Sequence, residues 1–282
     1  MTAPVTDTLR VNGATLHYDV RGTGPLLLLI PGGTGGAAAF DGVVDRLAAA
    51  HTVVTYDPRG MSRSTLDDAD AEQRVSEHAD DALRLLDTLS PGAPAKVFGT
   101  SSGAIVALHV LATQPERVER VVAHEPPVVE VLPDAAVHRA WLARVRETLR
   151  AQGLMPAMTV FAAGLRKDGD SGAPQAAPEL PPQAAARAER TMADLPYFLG
   201  RVVPSFMAYA PDVHRLSSLT DRLVLACGRD SEGELPCRAT ASLAGRLGVP
   251  LQRFPGGHIG LTTHAAEYGE FLEAGLRTSV RA

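Results

Sequence analysis

Cysteine is scarce: the 282 residues hold two, Cys227 and Cys237. Two are too few for a disulfide framework or a metal-ligand set, so buried or incidental thiols are expected and no metal is assigned. A strong charge of one sign is missing as well. The formal net charge of −5 offers no basic field for nucleic acid and no cationic face for a membrane. The longest aliphatic run, Leu26 to Ile30, is far short of the roughly 20 residues that cross a bilayer. The opening stretch MTAPVTDTLR lacks a positive segment followed by an apolar one, so no signal peptide is expected and a cytoplasmic location is the default. Hydrophobic residues reach 45%, which disfavours disorder and leaves enough apolar area for a large core. The length suits one large domain or two small ones.

TLRVNGATLHYDV alternates around Asn12-Gly13, a hairpin signal. Short apolar runs follow that end in Gly, Pro or Asp: LLLLIPGG, HTVVTYDPRG, AKVFGTSSG and RVVAHEPP. Helical patterns lie between them, as at Phe40 to Ala50 and Val75 to Leu89. Aliphatic strands separated by helices predict an α/β protein whose parallel sheet is covered on both faces, with the hairpin as an antiparallel edge. The rhythm changes after Glu130. AVHRAWLARVRETLR and MPAMTVFAAGL read as helices, and a Pro/Gly/Ala-rich loop spans residues 168–182. Helices broken at prolines then run to about residue 214. Two further strands, DRLVLACG and PLQRFPGG, and a last helix, AAEYGEFLEAGL, complete the chain. The expected division is a core of residues 1–129 and 215–282 with a helical cap of residues 130–214.

GTSSG, Gly99 to Gly103, fits G-x-S-x-G and centres on Ser101. An apolar strand precedes it and a helical run follows, the context of a nucleophile elbow. A plain helix cap at a tight turn is the competing reading, and Ser102 is the rival serine. A hydroxyl needs a base to become a nucleophile. His258 in FPGGHIG follows the last strand, where a loop can carry imidazole back over the elbow; His264 is the weaker rival and His109 sits in the helix after the elbow. IPGGTGG supplies unencumbered backbone for an oxyanion, with Gly33 N–H as one donor and Ser102 N–H as the other. It lacks the lysine and spacing of a phosphate loop. The acid that would orient His258 stays open between two sites. Chain order modestly favours Asp230 in ACGRDSEGELP over Glu125 in RVVAHEPP. Asp57 and Arg59 in YDPRGMSRS are expected to hold loops together.

Together these motifs resemble the α/β-hydrolase superfamily over nearly the whole chain. Within it the sequence is similar to the zearalenone lactonases, in RGMSRS (PGMSRS-like), SSGA at the elbow, HEPP where that family has His-Glu-Leu-Pro, and FPGGH around the base. The resemblance implies an eight-stranded sheet with the cap after the sixth strand. It also implies a catalytic triad of Ser101, Glu125 and His258 with Gly33 and Ser102 as the oxyanion hole, because that family takes its acid from the glutamate after the sixth strand. Haloalkane dehalogenases can place a glutamate there too, but their nucleophile is aspartate. Two departures bear on substrate: Gly32 stands where the family has an acidic residue, and Phe198 where it has a cap tryptophan. Trp141, Met155, Met158, Phe161, Tyr197, Phe198 and Met207, with Gly32, are the candidate substrate-binding residues, although plain cap packing suits any one of the side chains.

The implied activity is that of a serine hydrolase needing no cofactor and opening a zearalenone-like macrolactone. A carboxylesterase, thioesterase or carbon–carbon hydrolase would use the same residues on another acyl compound. A hydrolase-fold receptor without turnover is the reading from a different class. The expected partner is a small-molecule ester or lactone, not nucleic acid or a membrane, and a homodimer stays open.

Overall fold

A computed structural model describes residues 3–167 and 182–277. The chain opens with a hairpin of β1, Val5–Val11, and β2, Ala14–Arg21, closed at Asn12-Gly13 as the turn chemistry requires. Six more strands follow: β3, Leu26–Ile30; β4, Thr52–Tyr56; β5, Ala95–Thr100; β6, Val118–His124; β7, Leu223–Gly228; and β8, Leu251–Phe254. Their order in the sheet is β1-β2-β4-β3-β5-β6-β7-β8. The hairpin is antiparallel to β4, and every later pairing is parallel. A ninth strand of two residues, Thr65–Leu66, pairs with β2; it is too short to leave an alternation in the sequence.

Every residue of β3 is buried, which explains its unbroken aliphatic run. The pleat sends Leu27 and Leu29 to one side with Val53, Phe98 and Val122. There they meet α1, Val44–Ala48, and the last helix, α10, Ala265–Leu276. Leu28 and Ile30 face the other side, where α2, Val75–Leu89, α3, Ser102–Thr113, and α9, Leu235–Leu247, complete a larger core.

The predicted helix over Phe40 to Ala50 is shorter than expected. A 3-10 turn, Ala37–Phe40, precedes α1, and Asp41-Gly42 between them does not continue a helix. α9 was absent from the sequence reading: its inner face is made partly of Ala and Thr, which weakens the apolar period. Pro236 near its start is no obstacle, since the first turn needs no donated N–H.

The chain leaves the sheet after β6. It forms α4, Ala135–Gln152, and α5, Leu154–Leu165, then α6, Pro182–Tyr197, and α7, Val203–Met207, before α8, Val213–Ser217, returns it. The predicted loop lies outside the described residues over 168–181, and Pro182 already opens α6. Between α6 and α7, Phe198–Val202 forms a π-helical turn. Pro204 has no N–H to return to the carbonyl four residues earlier, a local reason for the α pattern to fail here.

The RGMSRS loop anchors these helices. Tyr197 Oη donates to the Arg59 carbonyl at 3.1 Å, and the Asp194 carboxylate accepts the Ser62 N–H at 2.8 Å. Beneath it, Arg59 and Asp81 form a buried ion pair at 2.6 Å. Asp57 accepts from Ala37 N–H and Arg63. Among the described residues, no helix is long and apolar enough to cross a membrane.

Candidate active site

β5 ends and α3 begins at Ser101, whose backbone sits at φ 53° and ψ −123°. That is a costly conformation for a residue with a side chain. It is held by neighbours: Ser101 N–H donates to the His124 carbonyl at 2.8 Å, and Ala104 N–H returns to the Ser101 carbonyl at 2.9 Å. The turn passes so close to β3 that a Cβ on Gly103 would stand 2.2 Å from the Ile30 carbonyl oxygen. Glycine at that position is therefore a packing requirement, which accounts for the last residue of the G-x-S-x-G pattern.

His258 follows β8 and lies over the elbow, with Nε2 3.2 Å from Ser101 Oγ. Its Nδ1 is 2.5 Å from Glu125 Oε2. The carboxylate that reaches the imidazole is thus that of Glu125. Asp230, which chain order modestly favoured, is exposed, and its backbone N–H is used to bind the Gly256 carbonyl at 3.0 Å. The next residue, Ser231, turns inward instead.

Glu125 is wholly buried and, like Ser101, has a left-handed backbone, φ 51°. Its N–H donates to the Ala226 carbonyl at 2.9 Å, pinning it across the mouths of β6 and β7. Oε1 accepts from Gly228 N–H at 2.8 Å and from the Ser231 hydroxyl. Burial alone would push this carboxyl up. The hydrogen bonds from His258 and Ser231 and the nearby imidazoles offset that and hold it below its ordinary value. Ser231 is a site residue that the sequence reading missed. Its only sequence signal was adjacency to Asp230.

His124, one residue before Glu125, points away from this cluster. It is fully buried against Phe254 and Tyr268, and neither ring nitrogen has a partner among the described residues. Burial pushes its pKa down to about 4, so it is neutral in the fold. His109 bonds Tyr209 Oη at 2.9 Å, and His264 bonds Thr263; neither touches Ser101.

Gly33 N–H, one expected oxyanion donor, meets the Ser102 hydroxyl at 3.1 Å. Ser102 also opens α3, so its own N–H is one of the helix's unbonded first donors. The two stretches meet beside Ser101, with the Gly33 N–H engaged by the Ser102 side chain.

Ser101, Ser102, Gly32, Gly33 and His258 lie on the wall of a cavity of about 460 Å³. The cap closes it with Phe161, Leu165, Phe198, Val203, Phe206 and Met207. No Asp, Glu, Lys or Arg is among its described lining residues. Of the candidate substrate-binding residues, Phe198, Phe161, Met207 and Gly32 line this cavity. Four other candidates do not. Trp141 is buried behind Phe161, stacked on it at 5.8 Å, and donates to the Val160 carbonyl. Met155 is exposed. Met158 packs on the core, and Tyr197 is spent on Arg59. A helix shows its apolar residues in sequence but not which neighbour they meet, and so the lining could not be separated from the packing.

Residues 25–265 match the family model for the alpha/beta hydrolase fold. The hydrolase YraK of Bacillus subtilis (strain 168), itself uncharacterised, is 34% identical, covering 94% of this chain and 93% of that protein. Zearalenone hydrolase of Bionectria ochroleuca is 36% identical over 119 residues, 41% of this chain and 45% of that one. Among solved structures, the enol-lactonase of Burkholderia xenovorans LB400 superimposes with a TM-score of 0.70 at 18% identity, over 96% of this chain and 99% of that one, a likeness of fold. The chain belongs to the alpha/beta hydrolase fold family, and it is a hydrolase of that kind.

Proposed function

We propose that this hydrolase cleaves uncharged carboxylic esters through a serine acyl-enzyme, and that its substrate is a lactone of the zearalenone type. The observation that carries the chemistry is the relay Ser101–His258–Glu125, with contacts of 3.2 and 2.5 Å, at the wall of an apolar cavity. His258 Nε2 takes the proton of Ser101 as Oγ attacks the carbonyl carbon. Glu125 holds Nδ1–H, fixing the tautomer and stabilising the imidazolium. The N–H groups of Gly33 and Ser102 bind the oxyanion. Such a donor is worth on the order of a hundredfold in rate or more. The protonated His258 then hands its proton to the leaving oxygen, which in a lactone stays tethered to the acyl group. Water, activated by the same imidazole, releases the opened hydroxy acid.

The absence of Asp, Glu, Lys and Arg among the described wall residues favours a neutral substrate, since a buried unpaired charge is costly. The partial similarity to zearalenone hydrolase supports the macrolactone. A carboxylesterase or thioesterase acting on another apolar acyl group would use the same residues.

The test is incubation with zearalenone and with a small activated ester, followed by chromatography. Ring-opened product that disappears in Ser101→Ala is expected. Ester hydrolysis without opened zearalenone would leave the serine chemistry and overturn the substrate. No turnover of either would overturn both. Glu125→Gln should lower kcat about 10⁴-fold, the scale of losing the orienting acid in comparable triads, whereas Asp230→Ala should retain most activity. The reverse ranking would overturn the acid assignment.

A further inference from the structure

Cys227 is the penultimate residue of β7 and Cys237 lies in the first turn of α9. Both are buried, and the Sγ atoms are 2.7 Å apart. That is longer than an S–S bond of about 2.0 Å and shorter than ordinary contact between nonbonded sulfurs. The two thiols are therefore aimed at each other. Above them lies the exposed Arg253 of β8, whose Nη1 is 3.1 Å from Cys227 Sγ and 3.5 Å from Cys237 Sγ. A guanidinium there favours a thiolate. The hydrogen bond between the two sulfurs also pushes the Cys237 thiol down. Both sulfurs are buried, with the exposed Arg253 side chain directly against them.

A Glu125 oxygen and the two sulfurs also lie within 4.8 Å of one another. A divalent cation is the lesser reading, because Arg253 already places positive charge on the sulfurs. The carboxylate is meanwhile engaged by Gly228, Ser231 and His258.

We propose that Cys227 and Cys237 are a redox-active pair that a hydroperoxide converts to a disulfide, fastening the turn that cradles Glu125. The Cys237 thiolate attacks the O–O bond of hydrogen peroxide, giving a sulfenic acid and hydroxide, which takes up the thiol's proton as water. Cys227 sulfur then attacks the sulfenic sulfur. Its proton and the hydroxyl leave as a second water, so two thiols and one peroxide give one disulfide and two waters.

The bond joins the end of β7 to the start of α9 across the turn holding Gly228 and Ser231, the two donors to Glu125 Oε1. The sulfurs need only a small shift, so those donors stay in place and activity is kept. What changes is the freedom of the turn to open.

The test treats the folded protein with dilute hydrogen peroxide and maps its peptides without reduction. The expected result is one cross-linked peptide pair containing both cysteines. Loss of two hydrogens, a Tm raised by about 5 °C, unchanged ester turnover and full reversal by dithiothreitol should accompany it. Cys237→Ser should show no such rise. The exposed Met155 serves as the internal measure of oxidant dose. Recovery of both thiols uncrosslinked when Met155 is oxidised would overturn the proposal, and this outcome needs no variant. Stoichiometric zinc binding by the reduced protein, lost in Cys237→Ser, would also overturn it in favour of a metal site.

Discussion

The backbone N–H of Gly33 donates to the side-chain oxygen of Ser102, 3.1 Å away and 69 residues later in the chain. This contact bridges the loop after β3 and the start of α3, the two stretches that would share an oxyanion. The hydrogen bond ties the Gly33 backbone to the start of α3 and so fixes the position of that loop. A net hydrogen bond of this kind contributes roughly 0.5–1.5 kcal/mol. Ser102→Ala should therefore lower kcat about 2- to 10-fold with KM nearly unchanged, because aim matters only as charge develops. Steady-state kinetics on a small activated ester checks this. A change in KM alone would count against it.

Gly32 permits no side chain where it stands. A Cβ there would lie 2.4 Å from the Thr100 carbonyl oxygen and 2.6 Å from Ser101 Cβ. Both obstacles are fixed by the elbow, so the loop itself would have to move. Gly32→Ala should leave the protein folded, with a normal circular dichroism spectrum, and cut kcat about a hundredfold, the scale of a misplacement near 1 Å. The acidic residue expected from the lactonase resemblance has no room at this spot, and Gly32→Asp should be at least as damaging. Wild-type activity in either variant would show that the loop relaxes freely.

His124 ties stability to pH. Its folded pKa is about 4, against about 6.5 in an unfolded chain. Between those values the unfolded state binds the proton and the fold does not, so stability falls as pH drops from about 6.5 towards 4. Glu125 adds to the acid side: its lowered carboxyl contributes stability above its unfolded pKa, lost as pH falls through its folded value. His124→Phe removes a buried ring whose nitrogens lack partners among the described residues and sets an apolar ring against Phe254 and Tyr268. The Tm difference between pH 7.5 and pH 5 should shrink in the variant. An unchanged difference would move the effect to other groups, such as the buried His78, whose pKa burial also pushes down, to about 3.

The framework was legible because its signals are local. Gly and Pro at strand ends, short aliphatic runs of at most five residues and the G-x-S-x-G turn each follow from the conformation of a few neighbouring residues. Glu125 illustrates the limit. Chain order offered two acids, and resemblance to a family chose between them; the contact that brings Glu125 to His258 spans 133 residues. Ser231 was hidden for the same reason, since a serine in a polar turn looks alike whether it faces water or a carboxylate. The thiol pair was dismissed on count alone, although β7 and α9 carry its members into contact. Trp141 shows the opposite error: a large aromatic in a cap helix is conspicuous in sequence, yet it supports Phe161 from behind.

The apolar wall of the cavity also sets the fate of what is made there. The proposed hydrolysis of a neutral ester would leave a carboxylate, and apart from His258 no described wall residue can offer that anion a positive charge. The new charge is solvated better outside, so the reaction turns a well-matched guest into a poorly matched one. On the proposed ester chemistry, departure would then be driven by the step just completed, leaving a cavity suited to an uncharged molecule over the acid it would have released.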